Sequence, residues 1–273
     1  MRSRVAIQAL TCTWVLLLFC GVASATDGVI LIDQARALAG GVTPGDTPGF
    51  PVTISLPGSY RLSGNLTVPD ENTTAIDVTA QNVSIDLNGF MISGPTHCSG
   101  SPLVCTPTGT GNGIHDIGDM PSSLGRLTTL TVKNGVIRGM GAAGISVLSN
   151  IRVSDVQIVE NGSYGIYTLS GILTGNYIVA NGNSGALLSG SATVTGNQMY
   201  YNGEHGLKVN DQPTASGGLI SGNTFQGNGG FGIYLPSYVG YHANAFLDNN
   251  NNGEQVHGGV NLGNNLCKTF LCP

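Results

Sequence analysis

The chain has 273 residues, of which 42 are glycine and only 9% are charged, against roughly 25% charged in an ordinary soluble domain. With 41% hydrophobic residues it is neither a disordered polar tract nor a bundle of helices with charged outer faces, and glycine without a triplet period excludes collagen. The formal charge of −5 leaves no basic excess to grip nucleic-acid phosphates, so composition points to a turn-rich all-β protein.

In chain order, Arg2 and Arg4 precede an uncharged run from Val5 to Thr26 that closes on Ala23-Ser24-Ala25. Residues 1–25 read as a signal peptide cut after Ala25; the alternative is an uncleaved anchor, since the run is long enough to span a bilayer. Cleavage removes two arginines and no acid, takes the charge from −5 to −7, and leaves no membrane segment. The expected location is extracellular or periplasmic. Four cysteines then remain, Cys98, Cys105, Cys267 and Cys272. Export permits disulfides, and of three pairings the local one, Cys98 with Cys105 and Cys267 with Cys272, is simplest. A zinc site is disfavoured by the spacing and by the lack of a histidine framing both pairs.

Residues 26–58 read as a cap and leader. Asp33 to Ala39 holds good helix formers ended by Gly40-Gly41, a helix suited to closing the open end of a stack. Tyr60-Arg61-Leu62 opens the first rung of a body spanning residues 59–266, and residues 267–273 form a tail.

Within that body three features repeat in phase. Glycine followed by an aliphatic residue recurs at Gly113, Gly144, Gly165, Gly185, Gly206 and Gly232. A second series is Asn88, Asn134, Asp155, Asn176, Asn197, Asn223 and Asn244, mostly 21 residues apart from Asn134 onward. Asn-Gly recurs at 161, 181, 202 and 228. Strands of three or four residues divided by Gly and Asn bury nothing alone, but copies stacked in parallel do. Inward aliphatics then form columns such as Ile178, Met199, Phe225 and Phe246. The Asn series is read as a ladder: the amide donates and accepts, so stacked copies bond one another. Asp155 would break one donor link. It also lies six residues before its Asn-Gly instead of five, which predicts a bulge there.

This pattern resembles the right-handed parallel β-helix of the pectate-lyase-like superfamily, in particular its bacterial secreted repeat proteins, over about Val52 to Leu266. The resemblance implies that fold and a binding face along the first strand of each unit. It leaves activity open, since the superfamily holds lyases, hydrolases, epimerases, adhesins and members without known catalysis. The Arg motif of pectate lyases, the paired Asp of polygalacturonase-like hydrolases and the Asp-Pro-His of alginate epimerases are absent, as are serine nucleophile motifs.

The outward positions of the first strands are Asp77, His115, Ser146, Tyr167, Leu187, Lys208 and Tyr234. Asp77 and His115 become rung neighbours if the insertion between them loops out, an acid beside an imidazole suited to acid/base work. Ser146, Tyr167, Lys208 and Tyr234 are candidate ligand contacts, because tyrosine offers a sugar ring an apolar face and a polar tip. Glu204-His205 reads as a solvated turn. Asp248, Asn250 and Asn252 start a calcium-loop pattern, but Gly259 stands where the pattern has a bidentate Glu; no other cofactor is expected. Gly139-x-Gly141-x-x-Gly144 precedes another strand instead of a helix, which removes a dinucleotide site. The reading is a secreted recognition protein binding a polysaccharide or glycan surface, of undetermined oligomeric state. The alternative is a polysaccharide lyase or hydrolase using Asp77 and His115.

Overall fold

The computed structural model describes residues 28–116, 129–211, 217–268 and 270–272. The signal-peptide reading of residues 1–25 lies outside them, as does the insertion at 118–126 and most of that at 210–217.

Each unit contributes three strand positions, and each position pairs in parallel with its equivalent one unit on. The first runs Ile114↔Ile145↔Ile166↔Ala186↔Leu207↔Ile233. The second runs Val132↔Val153↔Leu173↔Val194↔Ile220↔Tyr241. The third runs Ile137↔Ile158↔Ile178↔Met199↔Phe225↔Phe246. The result is a parallel β-helix. Its inward residues are buried and form one continuous core, in which the expected third-strand column is complete and Phe225 stacks on Phe246 at 5.2 Å. The rung glycines have a steric cause. A Cβ on Gly165 would lie 2.4 Å from the Gly185 carbonyl oxygen, and one on Gly206 2.6 Å from that of Gly232, closer than any real side chain approaches.

The stack begins before Tyr60. Ile30–Ile32 pairs with Gly58–Leu62, and Val52–Ile54 pairs with Ile76–Val78, because both segments alternate apolar residues inward. The leader is therefore part of the coil. Between them sits the capping helix, Gln34–Ala39, whose first turn is held by Asp33 accepting the Arg36 N–H. Its Ala37 joins the core, and Gln34 exchanges two hydrogen bonds with the Thr67 backbone. At the other end Leu266–Cys267 still pairs with the preceding rung, then turns back against Phe270–Leu271. Both local disulfides are present, Cys98–Cys105 across the antiparallel hairpin of the first insertion and Cys267–Cys272 in the tail.

The asparagine ladder is real but its membership differs from expectation. Asn176, Asn197, Asn223 and Asn244 lie in single file and continue to Asn265, each side-chain N–H donating to the next Oδ1 at 2.9–3.0 Å. Asn88, Asn134 and Asp155 are not in it. The registers Ser154↔Thr174 and Gln157↔Tyr177 put Asp155 opposite Gly175 and Val156 opposite Asn176. Asn88, Asn134 and Asp155 are exposed and left-handed, with φ of 53°, 59° and 57°, a backbone that Gly175, Gly196 and Gly222 adopt in later units. Asn, Asp and Gly all tolerate that conformation. No bulge accompanies Asp155; the register slips between Val147 and Asn150 instead. A second ladder occupies the Asn-Gly turns. Asn161, Asn181, Asn202, Asn228 and Asn249 bond in sequence at 2.7–2.9 Å, and Gln255 closes the row.

Candidate functional site

The outer side of the first strands carries the expected column in unbroken register: Asp77↔His115↔Ser146↔Tyr167↔Leu187↔Lys208↔Tyr234. His257 extends it by one rung. The insertion does loop out, so Asp77 and His115 meet, with Nδ1 of His115 3.0 Å from Oδ1 of Asp77. The Asp77 side chain is 12% exposed and that of His115 33%. The hydrogen bond to Asp77 holds the His115 pKa above its ordinary value, against the opposing effect of burial and with help from the charges of Asp77 and Asp116. Asp116 itself takes the inward phase and is buried.

From four rungs beyond His115 onward, the face becomes aromatic. Tyr234 stacks on His257 at 4.4 Å and tilts against His205 at 5.2 Å; Phe231 packs on His205 at 5.6 Å and on His257 at 5.2 Å. The Lys208 ammonium lies 5.5 Å over the Tyr234 ring, a cation–π contact. Toward the acidic end Tyr164 stacks on Tyr167 at 5.8 Å. Tyr164, His205 and Phe231 each precede a rung glycine, so they form a second line beside the first. The repeat does not single out that position, although it too is in register. His257 follows the Asn-rich turn, where Gln255 stands in place of the rung glycine and hides the phase.

Residues 125–268 match the family described as the right handed beta helix region. The chain belongs to the right-handed β-helix family. A mutant of the periplasmic alginate epimerase AlgG is similar at 16% identity and a TM-score of 0.35. The alignment covers 72% of this chain and 56% of that one, so the chain spans little more than half the length of that structure. No functionally curated protein matches the chain. The two disulfides of this right-handed β-helix fit an oxidising compartment outside the cytoplasm. Among the described residues no helix is long and apolar enough to cross a membrane.

His205 is not a solvated turn residue in this β-helix. Its Nδ1 accepts the Phe231 backbone N–H at 3.0 Å, which requires that nitrogen to be unprotonated. Burial, the larger cause, lowers its pKa; Glu204 opposes this, while Lys208 and His257 add to it. The unfolded chain therefore takes up the proton first. The contribution of His205 to stability is complete above the ordinary value of 6.5 and is lost as pH falls through its lower folded value. His115 has the opposite sign, contributing below 6.5 and losing that contribution as pH rises through its raised value. We expect His205→Gln to flatten the fall in thermal midpoint between about pH 7 and about pH 5. An unchanged slope in a calorimetric pH series would contradict this assignment.

The calcium-loop pattern folds as a tight turn with left-handed Asp248, Asn250, Asn251 and Asn252. Its polar groups hold the fold: Asn249 ends in the second ladder, Asn250 Nδ2 donates to the Glu254 carbonyl, and Lys268 places its ammonium on the Asn252 carbonyl at 3.1 Å. Asp248 is exposed. A separate groove of about 660 Å3 follows the outer side of the second strands past Thr131, Arg152, Ile172 and Thr193. It contains none of the first-strand candidates.

Proposed function

We propose that the protein is an extracytoplasmic recognition module that binds a polysaccharide along the outer face of its first strands. The observation that carries this reading is the run of rings from Tyr164 and Tyr167 to His205, Phe231, Tyr234 and His257 on one side of the coil. Tyr167 and His257 are four rungs apart, about 19 Å at ~4.8 Å per strand, a span suited to several sugar units instead of one. Rings held in register lose little freedom on binding, which favours a rigid linear ligand. Lys208 and Glu204 add polar groups beside the rings, and the Lys208 ammonium suits a hydroxyl or carboxylate of the chain.

The test is retention of the protein in affinity electrophoresis through gels containing neutral and uronate polysaccharides. We expect retention by at least one polymer, and a roughly tenfold weaker affinity for Tyr234→Ala, the order expected when one ring no longer stacks on a sugar. Binding that is absent on every polymer, or is unaltered by both Tyr167→Ala and Tyr234→Ala, removes the reading. The hydrogen bond between Asp77 and His115 favours a second reading, a polysaccharide lyase or hydrolase centred on that pair; it predicts new reducing or unsaturated ends on incubation with polymer.

A further inference from the structure

We propose that Asp77, His115 and Ser146, on three consecutive rungs of the first-strand column, form a nucleophilic triad that cleaves esters of short carboxylic acids. The inference does not rest on glycan binding. It starts from order: the register Asp77↔His115↔Ser146 puts the acid, the imidazole and the hydroxyl in a line, with the imidazole in the middle. A serine nucleophile needs an adjacent base, and the base needs a third group that fixes its ring. The sequence lacks a serine motif because such a motif describes a strand-to-helix turn. Here stacking of rungs supplies the arrangement instead.

The imidazole chemistry gives the direction. Nδ1 of His115 is committed to Asp77 at 3.0 Å. In the five-membered ring Nε2 then lies on the edge away from the Asp77 bond, and Ser146 occupies the neighbouring rung opposite Asp77, one strand spacing of ~4.8 Å away. The Ser146 hydroxyl makes no hydrogen bond to any described residue, so its proton has no competing partner there. Nucleophile and base commonly stand apart before substrate arrives. Asp77, at 12% side-chain exposure, is withdrawn enough to orient the ring without meeting substrate. On the far side of Ser146 the next rung carries Tyr167, with Tyr164 stacked on it at 5.8 Å. In this proposal those rings bound the acyl side, which suits a short acyl group, and the Tyr167 phenol is the donor assigned to the developing negative oxygen.

The chemistry balances without a cofactor. Ser146 Oγ attacks the ester carbonyl carbon while its proton passes to Nε2 of His115. His115 returns that proton to the departing oxygen, which leaves as an alcohol. Water then attacks the acyl-serine with His115 again as base, releasing the carboxylic acid and restoring the hydroxyl. Asp77 remains ionised throughout and acts as a positioning residue.

The experiment treats the full chain with a fluorophosphonate probe and, separately, with p-nitrophenyl acetate. We expect the probe on Ser146 by mass spectrometry. Ser146→Ala and His115→Ala should each lower ester turnover by about 100-fold or more, both with the circular dichroism of the parent and Ser146→Ala also with its thermal midpoint. Ser93→Ala, on the third-strand face, should keep both label and rate. Asp77→Asn should slow turnover and move the midpoint of its pH profile downward, because the carboxylate that favours the His115 proton is gone; a merely structural Asp77 would leave that midpoint in place. Label on a different serine, or a parent protein that neither takes the probe nor exceeds Ser146→Ala on the ester, overturns the proposal. Neither result bears on polymer retention and its Tyr234→Ala test.

Discussion

Asn202→Ala is expected to lower the unfolding free energy by about 4 kcal/mol, the sum of two or three buried polar groups left without partners. Asn202 Oδ1 accepts from both the backbone N–H and the side-chain N–H of Asn181, at 3.1 and 2.9 Å. Its own Nδ2 donates to the Ile178 carbonyl at 3.2 Å and to Asn228 at 2.9 Å. Alanine removes all four bonds in a place 1% exposed, where water is not at hand to replace them. The thermal midpoint should fall by about 10 °C for a domain of this size. The contrast is Asn134→Gly. Asn134 is exposed and left-handed, and later units already place glycine there, so its change should stay within about 0.5 kcal/mol. Urea unfolding of the two variants decides the matter. Equal effects would mean that the ladder has been drawn through the wrong column.

Gly203→Ala should be worse still. The added carbon would stand 2.1 Å from the Gly182 carbonyl oxygen, and the next rung already brings Gly229 against Gly203 in the same way. Both neighbours are backbone, so nothing yields short of parting the rungs, and parting them breaks both the strand pairing and the adjacent ladder. A loss above about 5 kcal/mol is expected, seen as protein that does not accumulate in folded form. Gly64→Ala is the control. Its new carbon meets only the Asp33 Cβ at 3.3 Å, and the variant should fold with a midpoint close to that of the parent. A Gly203→Ala protein that unfolds at the same urea concentration as the control would show that the rungs stand further apart than described.

The two ladders show how far residue identity reaches. Asn176, Asn197 and Asn223 are legible because each lies five residues before an Asn-Gly turn, and Asn244 because it follows Asn223 by 21 residues. Asp155 falls outside their column because a left-handed corner accepts Asn, Asp or Gly alike. When the corner changes from Asp155 to Gly175, the nearest asparagine in the sequence, Asn176, stands one position along. The second ladder is visible as a turn mark, yet its amides carry the same chain of bonds as the first. An Asn-Gly pair reads as a turn in any fold, and only stacking makes its side chain a buried donor and acceptor.

The candidate face divides in the same way. Asp77, His115, Ser146, Tyr167, Lys208 and Tyr234 all fall two residues after a rung glycine or at the equivalent place, so their common side follows from the two-residue period of a strand. His205 and Phe231 come from the turn before the strand, where no period applies. Their rings join Tyr234 and His257 because that turn stacks as regularly as the strands do.

From residue order alone come the repeat, the parallel stacking, the inward columns and the single file of outward side chains. All follow from local periods and from which residues tolerate a turn. Which asparagines bond, where the coil begins, and which rings and ionisable groups meet were settled only by the stacked coil. Most of those pairings join residues about 20 or more positions apart, and a shift of one residue in register exchanges a buried partner for an exposed one.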